Sequence, residues 1–271
     1  ETKKLTVNTS KSESDANFIE NGRKIVFLCA DDNGTSQLWM MNTDGSNRKC
    51  ISSEKTDVNG YLFSPDEKYV VLIHDVPTET SIIKNDDDLM YKHWDRYVRS
   101  IPHPFIANFD GSQITNARDI LDGQPYESPM CPFGGIEEFA WSPDSKSLAY
   151  VMRKKTGRDY DSDIFLYNLE TGKTKNLCKP ENYKAPVVNA TSSLKHQIQY
   201  NENEDYNLGY DDKPKFSPNG KYIAWTSMKH DGYESDRTRL CVYEFSTGSK
   251  TYVTETFDSG DNDFVWDDNS K

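Results

Sequence analysis

Two adjacent carboxylates, Glu137 and Glu138 in the phrase GGIEEF, are the residues whose type and spacing best suit binding. Paired carboxylates facing a water-poor cavity would hold a cationic group strongly, because Coulomb attraction and charge-assisted hydrogen bonds both gain as water is removed. The plainer account is a solvated pair at the start of a strand. A second cluster, Trp94, Asp95, Arg96 and Tyr97, combines rings and charges of the kind that line a mouth or a domain boundary. Tyr91, Trp94 and Val98 also have helical spacing, which would pin this stretch to its own surroundings. Nucleophilic chemistry finds no support. A serine nucleophile on a strained strand-to-helix turn needs the pattern GxSxG, and Gly34-Thr35-Ser36-Gln37-Leu38 fails at the final glycine. No catalytic residue is assigned.

Metal chemistry fares no better. Asp159, Asp161, Asp163 and Glu170 have calcium-loop spacing, but Ile164 stands where such a loop needs glycine, and it begins an apolar run. Asp86, Asp87 and Asp88 read as a solvated loop, and His93 and His103 lack the HExxH or short H-x-H spacing of a zinc site. Cys29, Cys50, Cys131, Cys178 and Cys241 form an odd set without CxxC spacing, which predicts free thiols, with Cys29 and Cys241 buried. No metal and no cofactor is expected.

Bulk composition narrows the partners. Over 271 residues, 32 basic against 44 acidic side chains give a net charge of −12, which repels nucleic-acid phosphate and anionic lipid. No stretch approaches the roughly 18 apolar residues of a membrane span, so the sequence predicts a soluble chain with neither nucleic acid nor membrane as partner. Only 35% of residues are apolar, but 12% are aromatic, and large rings in short strands bury enough area to rule out a disordered reading. The sequence opens on Glu1 and not Met, which suggests that a leading segment has been removed.

The elements that must position these residues are visible as a repeat. FSPDEKYVVL at 63–72, WSPDSKSLAY at 141–150 and FSPNGKYIAW at 216–225 are one phrase, with a looser copy, FIENGRKIVF, at 18–27. Each begins on an aromatic residue, turns through Pro-Asp, Pro-Asn or Asn-Gly, and continues apolar, which is a strand, a tight turn and a strand. A second apolar strand closed by a glycine turn follows each time, at 37–46, 104–113, 163–172 and 239–248, and then a short last strand. Four antiparallel strands per unit is the content of a β-propeller blade, so the fold class is all-β.

The repeat frame places units at 18–62, 63–140, 141–215 and 216–263, with partial units at 1–17 and 264–271, in one domain. A blade takes about 40 to 50 residues. Units two and three run longer than that, which predicts polar insertions at about 76–102 and 179–212 on a rim or mouth. Both ends of the sequence fall inside the repeat. Truncation and closure of a small five-bladed ring through paired end strands both account for that.

The SPDxK-type hairpin resembles the TolB-like and WD40-like propeller repeats, which also occur in prolyl-oligopeptidase-family serine peptidases. A more specific resemblance runs through LMYKHWDRYVRSIPHPFIANFDG at 89–111, DILDGQPYESPMCPFGGIEEFAWSPDSKSLAY at 119–150 and SMKHDGYESDRTRLCVY at 227–243. These stretches are similar to the N-terminal propeller of bacterial dipeptidyl peptidase V and acylaminoacyl-peptidase-like enzymes, over most of the sequence. The stretch at 184–207 departs from that pattern by its length. The resemblance implies a propeller seated over a C-terminal α/β-hydrolase domain that carries a Ser, Asp and His triad and is absent here. It implies short peptides as the molecules filtered and oriented, Glu137 and Glu138 as contacts for a peptide's amino terminus, and a periplasmic or secreted location. The rival reading is a stand-alone TolB-like propeller that scaffolds protein partners.

Overall fold

The computed structural model describes residues 2, 4–7, 10–77, 92–93, 96–97, 100–131, 133–153, 161–181, 183, 208–230, 236–260 and 263–270. Each repeated phrase lies in a four-stranded antiparallel sheet. The first is β1 (Glu13–Ile19), β2 (Lys24–Ala30), β3 (Ser36–Asn42) and β4 (Lys49–Cys50), paired in that order. The second begins with β5 (Gly60–Phe63) and β6 (Tyr69–Pro77); a separate hairpin of β7 (Lys92–His93) and β8 (Arg96–Tyr97) intervenes before β9 (Ser100–Phe109) and β10 (Ile114–Asp119) complete it. The third is β11 (Phe139–Trp141), β12 (Ser147–Met152), β13 (Asp163–Asn168) and β14 (Thr174–Asn176). The fourth is β15 (Asp211–Phe216), β16 (Tyr222–Ser227), β17 (Arg239–Glu244) and β18 (Lys250–Tyr252). These are four blades of a β-propeller. The helical residues described are one 3-10 turn, Ile136–Glu138, and no described helix is long and apolar enough to cross a membrane.

Burial explains why the strands read as they do. The second strand of each blade is packed on both faces, so KIVFLCA in β2 or SLAYVM in β12 is an apolar run without alternation. Apolar layers fill the space between consecutive blades. Val26, Leu28 and Leu38 meet Val70 and Leu72; Val71 and Ile73 meet Leu148 and Tyr150; Ala149, Val151 and Ile164 meet Ile223 and Trp225. First and last strands are sheet edges, where proline and charge are tolerated, as in DDKPKF of β15 and KTY of β18. The first strands therefore start two to five residues before the aromatic that marks the repeat, at Glu13, Gly60, Phe139 and Asp211. Likewise, the ladder from Pro77↔Ser100 to Tyr69↔Asn108 carries β6 and β9 into the first expected insertion.

The repeated turn is held by its own side chains. In the second blade Ser64 Oγ accepts from Tyr69 N–H at 3.0 Å, and Asp66 Oδ1 accepts from Ser64 Oγ at 2.8 Å and from Lys68 N–H at 3.1 Å. Ser142 and Asp144 repeat this in the third blade, and Ser217 and Asn219 in the fourth. Asp and Asn serve alike because only one carbonyl-type oxygen is used.

The residue after the Asp or Asn lies in the left-handed region, where a side chain costs roughly 1 kcal/mol or more. It is Glu67 (φ 55°), Ser145 (φ 60°) and Gly220 (φ 68°) in the three blades. The two strained residues reach back to the preceding turn: Glu67 Oε1 accepts from Glu20 N–H at 2.8 Å and Ser145 Oγ from Asp66 N–H at 3.0 Å. A second tie is made by the indole of Trp141, which donates to Leu62 O at 3.0 Å and stacks on Tyr69. Segment 263–270 repeats both ties on the fourth blade. Trp266 donates to Lys215 O at 3.0 Å and stacks on Tyr222, and Ser270 (φ 63°) accepts from Asn219 N–H at 3.0 Å. It thus occupies the position of a fifth opening strand and turn.

Candidate functional site

The end of each blade opposite these turns carries buried polar groups at every junction. Between the second and third blades, Gly134 N–H donates to Met130 O at 2.7 Å just before the 3-10 turn. Glu138 is only 2% exposed, and its Oε2 accepts from Met130 N–H at 2.8 Å. Gly134 is required here, because a Cβ at that position would stand 2.1 Å from Glu138 Oε1 and 2.5 Å from Met130 O. Burial raises the Glu138 carboxyl to a pKa of about 9; the Met130 bond opposes this, and the negative charges of Asp212, Glu137 and Glu127 add to it. Glu127, with a fully buried side chain, accepts from Arg153 Nη2 at 3.1 Å.

Glu137 goes the other way. It is exposed on a cleft between β11 and β15, and has no hydrogen-bond or ion-pair partner among the described residues. The expected pair facing one cavity is therefore divided: consecutive residues of a 3-10 turn point about 120° apart, so one carboxylate enters the protein and its neighbour enters the cleft. The cleft has a volume of about 600 Å³, with Phe139, Trp141 and Phe216 among its walls and Lys213 and Lys215 at its polar edge. Lys213 (φ 56°) lies in a β-bulge of β15 and its N–H donates to Asp212 Oδ1 at 2.6 Å. Lys215 is tied to Asp263 and to Phe264 O.

Of the other expected cluster, Trp94 and Asp95 lie outside the described residues, while Arg96 and Tyr97 form β8, paired to Lys92 and His93. Tyr91 and Val98, whose spacing with Trp94 suggested a helix, lie outside the described residues as well.

Between the third and fourth blades lies a cluster that reading by spacing misses. Lys179 bonds both Asp161 and Asp163, the latter at 2.6 Å, while Asp163 also accepts from Asn176 Nδ2 at 2.7 Å. Asp211 accepts from the buried indole of Trp225 at 2.9 Å. Burial opposes charge on Lys179, but Asp163 and Asp161 outweigh it and hold the ammonium above its ordinary pKa. Burial raises Asp161, and burial with the Asp163 charge raises Asp211 to about 6. Donor atoms of Asp163, Cys178 and Asp211 lie within 4.8 Å of one another, yet the Lys179 ammonium already supplies a cation there. At the junction of the first two blades, His103 Nδ1 meets Asp119 Oδ2 at 2.8 Å and His74 Nδ1 meets Asp57 O at 3.0 Å. All five cysteines are free thiols.

No protein-family model matches this sequence. Among curated proteins, dipeptidyl-peptidase 5 of Porphyromonas gingivalis is 41% identical over 284 aligned residues, which cover 99% of this chain and 38% of that protein. The chain is homologous to one part of the dipeptidyl-peptidase 5 proteins. Dipeptidyl-peptidase 5 of Porphyromonas endodontalis is 37% identical, over 82% of this chain and 30% of its own length. The chain thus spans less than two fifths of these relatives. Solved structures agree on the fold. A putative TolB from Agrobacterium tumefaciens matches with TM-score 0.51 at 15% identity, over 91% of this chain and 63% of its own. Pyrococcus horikoshii acylaminoacyl peptidase matches with TM-score 0.54 at 13% identity, over 91% of this chain and 32% of its own.

Proposed function

We propose that this chain is the propeller domain of a serine dipeptidyl or acylaminoacyl peptidase, where it gates short peptides and orients them for an α/β-hydrolase domain on the longer protein. The observation that carries this reading is the 41% identity across 99% of the chain to a protein named for dipeptidyl-peptidase activity. No GxSxG occurs in the sequence, so hydrolysis belongs to residues beyond it. Orientation falls to Glu137, the carboxylate that lies open on the cleft, with the neutral Glu138 acting as the positioning residue of its loop. An amino terminus docked there gains a charge-assisted bond from a group with no competing partner among the described residues. The reading includes a periplasmic or secreted location, which cell fractionation tests.

The experiment compares this chain with the full-length gene product on dipeptidyl and acyl-aminoacyl chromogenic substrates, each with and without a serine-directed phosphonate. Cleavage by the longer protein alone, abolished by the phosphonate, is expected. If neither protein cleaves, the peptidase reading fails and a protein-binding scaffold replaces it.

A further inference from the structure

The cleft between β11 and β15 carries charge of both signs around apolar walls. Its volume, about 600 Å³, lies inside the range of roughly 300–1,000 Å³ typical of small-molecule sites. Rings and prolines line it, namely Phe139, Trp141, Phe216, Pro65, Pro143 and Pro214. On the side where β11 begins stands Glu137, in contact with Gly135, where an added Cβ would meet its Oε2 at 2.7 Å. Lys213, on β15, lines the same cleft.

The bulge between Asp212 and Lys215 matters to this placement, since the extra residue and its left-handed backbone re-aim a side chain that regular alternation would send elsewhere. Asp212 and Asp263 lie within electrostatic reach of Lys213. Asp212 also accepts from the Lys213 backbone N–H, and Asp263 bonds Lys215. An ammonium group has three donors, so Lys213 can serve a further acceptor beside these neighbours.

We propose that this cleft binds a free dipeptide with apolar side chains as its zwitterion, the ammonium on Glu137, the side chains against the rings and prolines, and the carboxylate on Lys213. The inference rests on the dipeptidyl form of the peptidase reading, whose reaction releases a molecule of this class. It assigns the propeller a product site, beyond the orientation of substrate.

The test titrates this chain with alanyl-phenylalanine, its N-acetyl form and its C-terminal amide, followed by calorimetry and by tryptophan fluorescence, since Trp141 lines the cleft. Each cap removes one charge-assisted contact and is expected to weaken binding about tenfold. In Glu137→Gln the free and acetylated peptides bind alike, and in Lys213→Met the free and amidated peptides bind alike. Equal binding of all three peptides to the unaltered chain, or no binding up to about 10 mM, overturns the proposal. Failure here is separable from failure of the peptidase reading. A full-length protein that cleaves dipeptidyl substrates while this cleft ignores dipeptides refutes the product site alone. A full-length protein that cleaves nothing while the cleft discriminates the caps refutes the peptidase and leaves a zwitterion site.

Discussion

Replacing Glu138 by glutamine should stabilise the protein at neutral pH and leave it unchanged in acid. The ordinary pKa of this carboxyl is 4.5, and in the folded protein it is pushed up to about 9. Between those values the folded state keeps a proton that the unfolded chain has released. Stability is therefore complete below pH 4.5 and falls as pH rises toward 9, by about 1.4 kcal/mol per pH unit. At pH 7 the loss amounts to about 3 kcal/mol, an upper figure because local opening relieves part of it. Glutamine is neutral at every pH and its carbonyl can accept from Met130 N–H as Glu138 Oε2 does, so Glu138→Gln removes the titration without removing the bond. Urea unfolding of both proteins at pH 4.5, 5.5 and 7, followed by tryptophan fluorescence, reads the difference directly. All other titrating groups are shared and cancel. A stability difference that stays constant with pH, or a variant less stable at pH 7, would refute a buried neutral Glu138.

Three further perturbations address the blade contacts. Ser145→Ala loses the bond to Asp66 N–H and keeps the left-handed strain, so it should cost about 1 kcal/mol, whereas Ser145→Gly trades the bond for relief of strain and should sit near zero; chemical denaturation that ranks glycine below alanine contradicts this. Lys179→Met leaves Asp161, Asp163 and Asp211 without their buried cation and should cost about 3 to 5 kcal/mol at pH 7. Because Asp161 and Asp211 are raised carboxyls, that loss should shrink as pH falls through 6 toward 4, and a loss that grows instead counts against the cluster. Trp141→Phe keeps a ring near Tyr69 but frees Leu62 O, and thermal unfolding should show a loss of about 1 kcal/mol, with no change if the indole bond is idle.

The legible parts of the fold are those whose chemistry is local. Ser64, Asp66 and Lys68 close their turn with atoms a few residues apart, so the phrase announces the hairpin and its threefold return announces the blades. Strands buried on both faces, such as β2 and β12, show as apolar runs. The opening strand β15 is hidden because it is an edge: DDKPKF, with proline and four charges, has the composition of a loop, and its first two residues fall inside the expected insertion at 179–212. The Lys179 cluster is hidden for a different reason. Its partners Asp163 and Asp211 come from different blades, and nothing local in the sequence brings them together. Glu137 and Glu138 stand out as a pair by adjacency, but the 3-10 turn that separates them depends on Gly134 and on a bond to Met130, neither of which a carboxylate spacing reveals.

The most direct test of the proposed role is kcat/KM of the full-length protein and its Glu137→Gln variant on dipeptidyl substrates with a free amino terminus and on the same substrates N-acylated. If the propeller orients peptides through Glu137, the variant loses about ten- to a hundredfold on the free-amine substrates, in line with one charge-assisted bond, and is unchanged on the acylated ones. Equal activity of variant and parent on the free-amine substrates would contradict it.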